Sequence, residues 1–117
     1  QAGGYVDIEK EEYFHSLIRR EHLRPLLKKN GDFLVRQARA EEQNERKKKE
    51  RYIICANDRG DYREFPILFH PREFVYYVYK FCFDTASGLI DYHERTGAPL
   101  DATGVVLDRP IAREAWL

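Results

Sequence analysis

The sequence predicts an α+β domain: a central antiparallel β-sheet flanked by two α-helices. Three observations predict it. Leucines recur at helical spacing early in the chain, and an apolar helical face returns near its end. Between them lie several short strand-like runs, consecutive and joined by brief turns, which favours antiparallel pairing. Within the first of these runs Phe33 and Val35 point to one face and Leu34 and Arg36 to the other. Both faces carry apolar residues, as in a central strand covered on both sides.

Each element has its own local reason. Residues 1–12 are polar and read as a lead-in, and Tyr13 and Phe14 open the domain. Leu23, Leu26 and Leu27 mark a helix within 19–29 that Asn30-Gly31 should stop. Pro25 falls inside it and calls for a late start or a kink, because it removes a backbone donor. Asp32–Arg36 is the first strand, and residues 39–51 form a charged loop. Arg51–Ala56 is the next strand, Asn57-Asp58-Arg59-Gly60 a turn, and Glu64–Phe69 a strand whose pairing Pro66 limits. Phe74–Tyr79 is rich in valine and tyrosine and reads as a further strand. Asp84 is a candidate N-cap for a helix to about Arg95, with Ala86, Leu89, Ile90 and His93 on one face and Gly97-Ala98-Pro99 ending it. Residues 100–117 read as extended, with a last short strand at Val105–Leu107.

Composition narrows the function. The chain has 117 residues, one domain's worth, with 43% hydrophobic and 14% aromatic residues, so it buries a real core. Lys and Arg number 20 and so do Asp and Glu, which argues against a globally basic nucleic-acid binder but not against a local anion site. No apolar run approaches the roughly 18–20 residues of a membrane span. Cys55 and Cys82 sit in apolar, strand-like contexts and make no disulfide framework, which suits reduced thiols and a cytoplasmic setting. His15, His22, His70 and His93 lack metal-ligand spacing, so no metal and no cofactor is expected. No nucleophile, acid–base pair or phosphate loop is legible, so the chain reads as a binding module and not an enzyme.

Arg36 is the informative residue. It ends an apolar run on a central strand, and a buried guanidinium is costly unless paired and hydrogen-bonded. Its planar fork suits a bidentate carboxylate or phosphate. An internal carboxylate would meet that need, and so would an external anion.

The segments Tyr13-Phe-His-Ser-Leu-Ile-Arg-Arg-Glu21, Leu26-Leu-Lys-Lys-Asn-Gly-Asp-Phe-Leu-Val-Arg36 and Leu89-Ile-Asp-Tyr-His93 resemble a Src homology 2 domain. The tail Gly104-Val-Val-Leu-Asp-Arg-Pro-Ile111, followed by Trp116-Leu117, is similar to the segment that joins this domain to the kinase domain in the Fes/Fer group of cytoplasmic tyrosine kinases. The resemblance covers about residues 12–117, and 39–83 agree only in pattern. It implies a domain at 13–108, a linker at 109–117 toward a kinase domain, and binding of tyrosine-phosphorylated peptides by a monomeric module that also docks on its own kinase domain. Arg36 would lie at the base of the phosphate pocket, deep enough that phosphotyrosine reaches it and phosphoserine does not. Arg20 matches the family's second pocket arginine and would contact the phosphate and the ring face. Trp116 would suit packing against the kinase domain.

Two departures from the family pattern stand out. Where the family places a hydroxyl donor after the Leu-Val-Arg strand, this chain has Gln37-Ala38-Arg39. Ala38 offers no side-chain donor, so backbone N–H groups or Arg39 would have to supply the contact. Where the family places a histidine facing the phosphotyrosine, Arg63-Glu64-Phe65-Pro66 puts Glu64. Three arrangements are open: Glu64 turns outward, Glu64 pairs with Arg36 or Arg20, or a one-residue slip puts Arg63 in the pocket instead. Phe65 would floor the peptide groove, and Tyr92 and Gly97 would border a downstream apolar pocket. Five of the six residues from Arg46 to Arg51 are basic, which suits a patch for nucleic acid or lipid headgroups. Glu41, Glu42, Glu45 and Glu50 dilute it, which favours a solvated loop and no nucleic-acid partner.

Overall fold

A computed structural model describes residues 7–42 and 51–113. It has two helices on opposite faces of a predominantly antiparallel sheet, as the sequence predicts. Helix α1 is Arg20–Leu26 and α2 is Ala86–Thr96. The main sheet contains β1 (Asp32–Gln37), β2 (Tyr52–Asp58) and β3 (Asp61–Pro66), with β4 (Leu68–His70), β5 (Val75–Tyr77) and β6 (Cys82–Phe83) forming a second, smaller sheet. A two-residue strand, β7 (Arg109–Pro110), joins the edge of the first sheet, giving the order β3-β2-β1-β7.

The alternation in β1 divides the core. Phe33 and Val35 pack with Ile54, Ala56, Phe65 and the α2 residues Ala86, Leu89 and Ile90. Leu34 packs with Ile53, Cys55, Ile18, Leu23 and Leu27 on the α1 side. The apolar face of α2 therefore falls where its spacing places it, with His93 also buried and its Nδ1 donating to the Ala98 carbonyl at 2.9 Å. The lead-in is not all peripheral: Ile8, on a 3₁₀ turn, enters the main core.

Several boundaries differ from expectation, each for a physical reason. Helix α1 ends at Leu26, and Leu27 caps it, so Asn30-Gly31 is not its stop. Pro25 sits in the last turn of this seven-residue helix and is tolerated there at the cost of the one backbone N–H it lacks. Gly31 instead begins the turn into β1 with φ +89°, and a Cβ there would lie 2.5 Å from Cβ of Asp108. Asn57 and Asp58 belong to β2, and the reversal is the pair Arg59-Gly60, both at positive φ, the geometry that joins twisted strands tightly. The expected strand Glu64–Phe69 divides at Pro66: β3 pairs with β2, and β4 starts the second sheet. Phe74 lies at φ +56° in the turn before β5, and β6 had no legible signal. Thr85, not Asp84, caps α2, its hydroxyl accepting from the Gly88 N–H at 2.9 Å. Gly97 ends α2 in the left-handed region, as expected. Val105 and Leu107 are buried in the core but form no strand; the last strand is β7, and it runs parallel to β1.

Candidate functional site

The site is built around Arg36. Strand β1 carries it on the α1 face, where its side chain is 2% exposed. Its fork is closed by a carboxylate: Nη1 donates to Oε1 of Glu42 and Nη2 to Oε2, both at 2.8 Å. Nη2 also donates to Oε2 of Glu64 at 3.0 Å. Among the described residues Nε has no hydrogen-bond partner.

Glu42 reaches this place from a 3₁₀ turn, Ala40–Glu42, that follows β1. Its Oε1 also accepts from the backbone N–H of Arg39 at 2.7 Å, and its own N–H donates to the Arg39 carbonyl. This is one half of a capping box: the side chain of Glu42, three residues on, reaches back to the N–H of Arg39, while the Arg39 backbone carbonyl and not its side chain accepts the Glu42 N–H. The Arg36 hydrogen bonds pull the Glu42 carboxyl down to about 2, against the cost of its burial. The same bonds hold the Arg36 proton more firmly than usual.

The second carboxylate is set by sheet register. Cys55 pairs with Glu64 and Leu34 pairs with Cys55, so Glu64 faces the same side as Arg36. Tyr62, two residues earlier on that face, donates its hydroxyl to Glu64 Oε2 at 2.5 Å and lies 3.2 Å from Cys55 Sγ. Burial raises the Tyr62 hydroxyl, and the neighbouring Cys55 and Glu64 raise it further. Burial also pushes the Cys55 thiol up to about 12.

Of the three arrangements open for Glu64, the pairing with Arg36 is the one present. Arg63 lies on the other face, 2.8 Å from Asp101 and with its guanidinium over the Phe65 ring, so the one-residue slip is excluded. Arg20 approaches the site from α1 at 3.6 Å from Glu42, with a largely exposed side chain. Arg39 contributes its backbone N–H but not its guanidinium, which donates to the carbonyls of Leu17 and Ile18 at 2.7 and 3.0 Å. Ala38 is buried, and its N–H is taken by the Arg51 carbonyl, so it offers the site no backbone donor. Phe65 is buried on the opposite sheet face and works as core. Tyr92 is half-buried against the rings of Phe81 and Phe83, and Gly97 is an exposed helix cap. Residues 46–50 of the basic run, and Trp116, lie outside the described residues. Sequence reasoning missed Glu42, Tyr62 and Cys55 as site members. The Arg39–Glu42 spacing was the available signal for the first.

Among the described residues no cluster of His, Cys, Asp or Glu could hold a metal ion, and no helix is long and apolar enough to cross a membrane. The SH2 domain family model matches residues 13–93. Fer-related kinase 1 of Caenorhabditis elegans is 32% identical over 113 residues, covering 95% of this chain and 28% of that protein. Human tyrosine-protein kinase Fer is 31% identical over 115 residues, covering 94% of this chain and 12% of that protein. The chain thus spans less than a third of the length of these relatives. The solution structure of the SH2 domain of human proto-oncogene protein VAV1 shares the fold, with a TM-score of 0.65 at 16% identity over 94% of this chain and 77% of that one.

Proposed function

The chain belongs to the SH2 domain family, and we propose that its Arg36 site takes the phosphate of phosphotyrosine in peptides of partner proteins. Members of this family are in general phosphotyrosine-binding modules, not catalysts. One observation carries the reading: a fully buried guanidinium holds a carboxylate by both prongs, with a backbone N–H on the same anion. That is an anion seat. A phosphate brings about −1.5 to −2 charges and three acceptor oxygens to the same donors. Arg20, at the rim, would meet the phosphate or lie over the ring face. Tyr92 and Gly97 would border the peptide downstream.

The two relatives are named as kinases, the human one as a tyrosine-protein kinase. The module would occupy 13–108 of such a kinase, acting in the cytoplasm as a monomer, and 109–117 would lead toward the kinase domain. Recruitment of phosphorylated partners and docking on that domain would then be coupled. A second reading has its own observation: two carboxylates, Glu42 and Glu64, already face Arg36. On that reading the pocket is closed and the domain only braces the kinase.

Calorimetric titration with a degenerate phosphotyrosine peptide library separates the two. Binding that is absent for the unphosphorylated library and weakened by roughly 2–5 kcal/mol in Arg36→Ala supports the phosphotyrosine reader. A folded wild-type domain that binds neither library supports the bracing role.

A further inference from the structure

We propose that Glu42 is an internal ligand of the phosphate pocket, a specificity-determining side chain that an incoming phosphate must displace and that keeps acidic peptides out. The proposal rests on the phosphotyrosine reading above and deepens it.

Glu42 and a bound phosphate would compete for the same atoms. Glu42 takes both prongs of the Arg36 fork and the Arg39 N–H, and it lies within ion-pair distance of Arg20. A phosphate seated on Arg36 needs those donors, and Glu42 leaves none of the fork free. Glu64 is a different kind of neighbour. It sits on a strand, accepts the Tyr62 hydroxyl, and touches one prong only. Rotating the Glu42 side chain away frees both prongs of the fork and the Arg39 N–H for the phosphate, whereas displacing Glu64 would break a bond to the Tyr62 hydroxyl.

Selectivity follows from the tether. Glu42 is six residues from Arg36 on the same chain, and short tethers give effective concentrations in about the millimolar range or above. A peptide carboxylate has the same charge and the same two acceptors as Glu42, so it gains nothing by exchange and loses to the tethered copy. A phosphate dianion has more charge and a third acceptor, so it wins the exchange. The domain meets this cost with every ligand, because apparent affinity falls by the fraction of molecules in which the seat is open. If about one molecule in ten is open, freeing the seat raises affinity about tenfold.

The test compares wild type with Glu42→Ala and Glu42→Gln. Two libraries are titrated, one with phosphotyrosine and one with glutamate in its place. Both variants should bind the phosphotyrosine library about tenfold more tightly or better, and the glutamate library should become measurable only in the variants. Variants that bind phosphotyrosine no more tightly than a binding wild type overturn the internal ligand and leave the phosphotyrosine reading intact. Absence of binding by all three folded proteins overturns both. If neither variant folds, wild type labelled with ¹³C at Glu carboxyls decides. The Glu42 carboxyl resonance should move to a free-carboxylate position on adding phenyl phosphate, and a resonance that stays put overturns the proposal.

Discussion

Asp32 and Arg109 are 77 residues apart in sequence and meet in a two-pronged ion pair, Nε to Oδ1 and Nη2 to Oδ2, both at 2.9 Å. The pair clamps β7 beside β1, where Asp108 and Arg109 also donate their N–H groups to the Gly31 carbonyl. Asp32 is almost fully buried and accepts from the N–H groups of Lys28 and Lys29 as well. Burial alone would raise its carboxyl, but the Arg109 bonds and the two N–H groups outweigh it and hold it below the usual range.

Removing that charge should therefore loosen the tail. Asp32→Asn loses the ion pair while keeping the shape of the side chain, and should destabilise the domain by about 2 kcal/mol in urea unfolding. Hydrogen exchange gives the local readout. The N–H of Ile111, which donates to the Phe33 carbonyl at 2.8 Å, should lose protection more than amides in β2. Equal loss across the sheet would show that Asp32 supports the domain as a whole and not the β7 clamp.

Acid should open the same molecule at its anion seat. Glu42 is held at about 2 in the folded state against an ordinary 4.5. A folded pKa below the unfolded one gives stability that is complete above about 4.5 and is lost as pH falls toward about 2. Asp32, also lowered, adds to the loss at the acid end of that window. The urea midpoint should thus fall between about pH 5 and pH 2. In Glu42→Gln the fall should be shallower, because the variant has no carboxylate to titrate at this place. A wild-type midpoint that is flat through this range would contradict the Glu42–Arg36 bonds.

Glu64 makes a separate claim on binding. With phosphate on Arg36, its carboxylate would be a like charge a few ångströms away. At an effective dielectric near 20 such a pair costs about 3 kcal/mol before screening. Glu64→Gln removes the charge and keeps an oxygen for the Tyr62 hydroxyl. It should tighten phosphotyrosine-peptide binding roughly tenfold, about 1.4 kcal/mol, with little change in fold. Unchanged affinity in a titration at neutral pH would mean that Glu64 leaves Arg36 when the peptide arrives.

What was readable in the sequence was local. Period-two alternation placed Arg36 on the Leu34 face of β1, and period-3.6 spacing placed Leu89, Ile90 and His93 toward the core. Glu64 was readable as a neighbour of the pocket, with pairing to Arg36 only one of three open arrangements, because one residue of register decides which of Arg63 and Glu64 faces it. Glu42 was hidden by composition: it is one of several glutamates in a charged stretch, and only the turn at Ala40–Glu42 aims it inward. Asn57 and Asp58 read as turn because they are polar, yet the fold uses them as strand. Asn57 donates to the Leu27 carbonyl, accepts from the Gly60 N–H, and so fixes the hairpin from inside. Strand β7 is two residues long and depends on Asp32, far away in sequence, so no window of residues could announce it.

The two thiols should report on the buried side of the site. Cys82 is exposed, whereas Cys55 is fully buried on β2 beneath Tyr62 and beside Glu64's strand. Since the thiolate is the reactive form, burial protects Cys55 twice, by excluding reagent and by pushing its thiol up to about 12. Native protein at neutral pH should take up one equivalent of a thiol reagent rapidly, at Cys82. The second should react only through opening of the Arg36 face, at a rate set by the opening equilibrium. Phosphotyrosine peptide seated on Arg36 should slow that second reaction and leave the first unchanged. Rapid labelling of both cysteines would mean that the α1 face opens locally, and that the Arg36 cluster is not the closed, desolvated seat its hydrogen bonds describe.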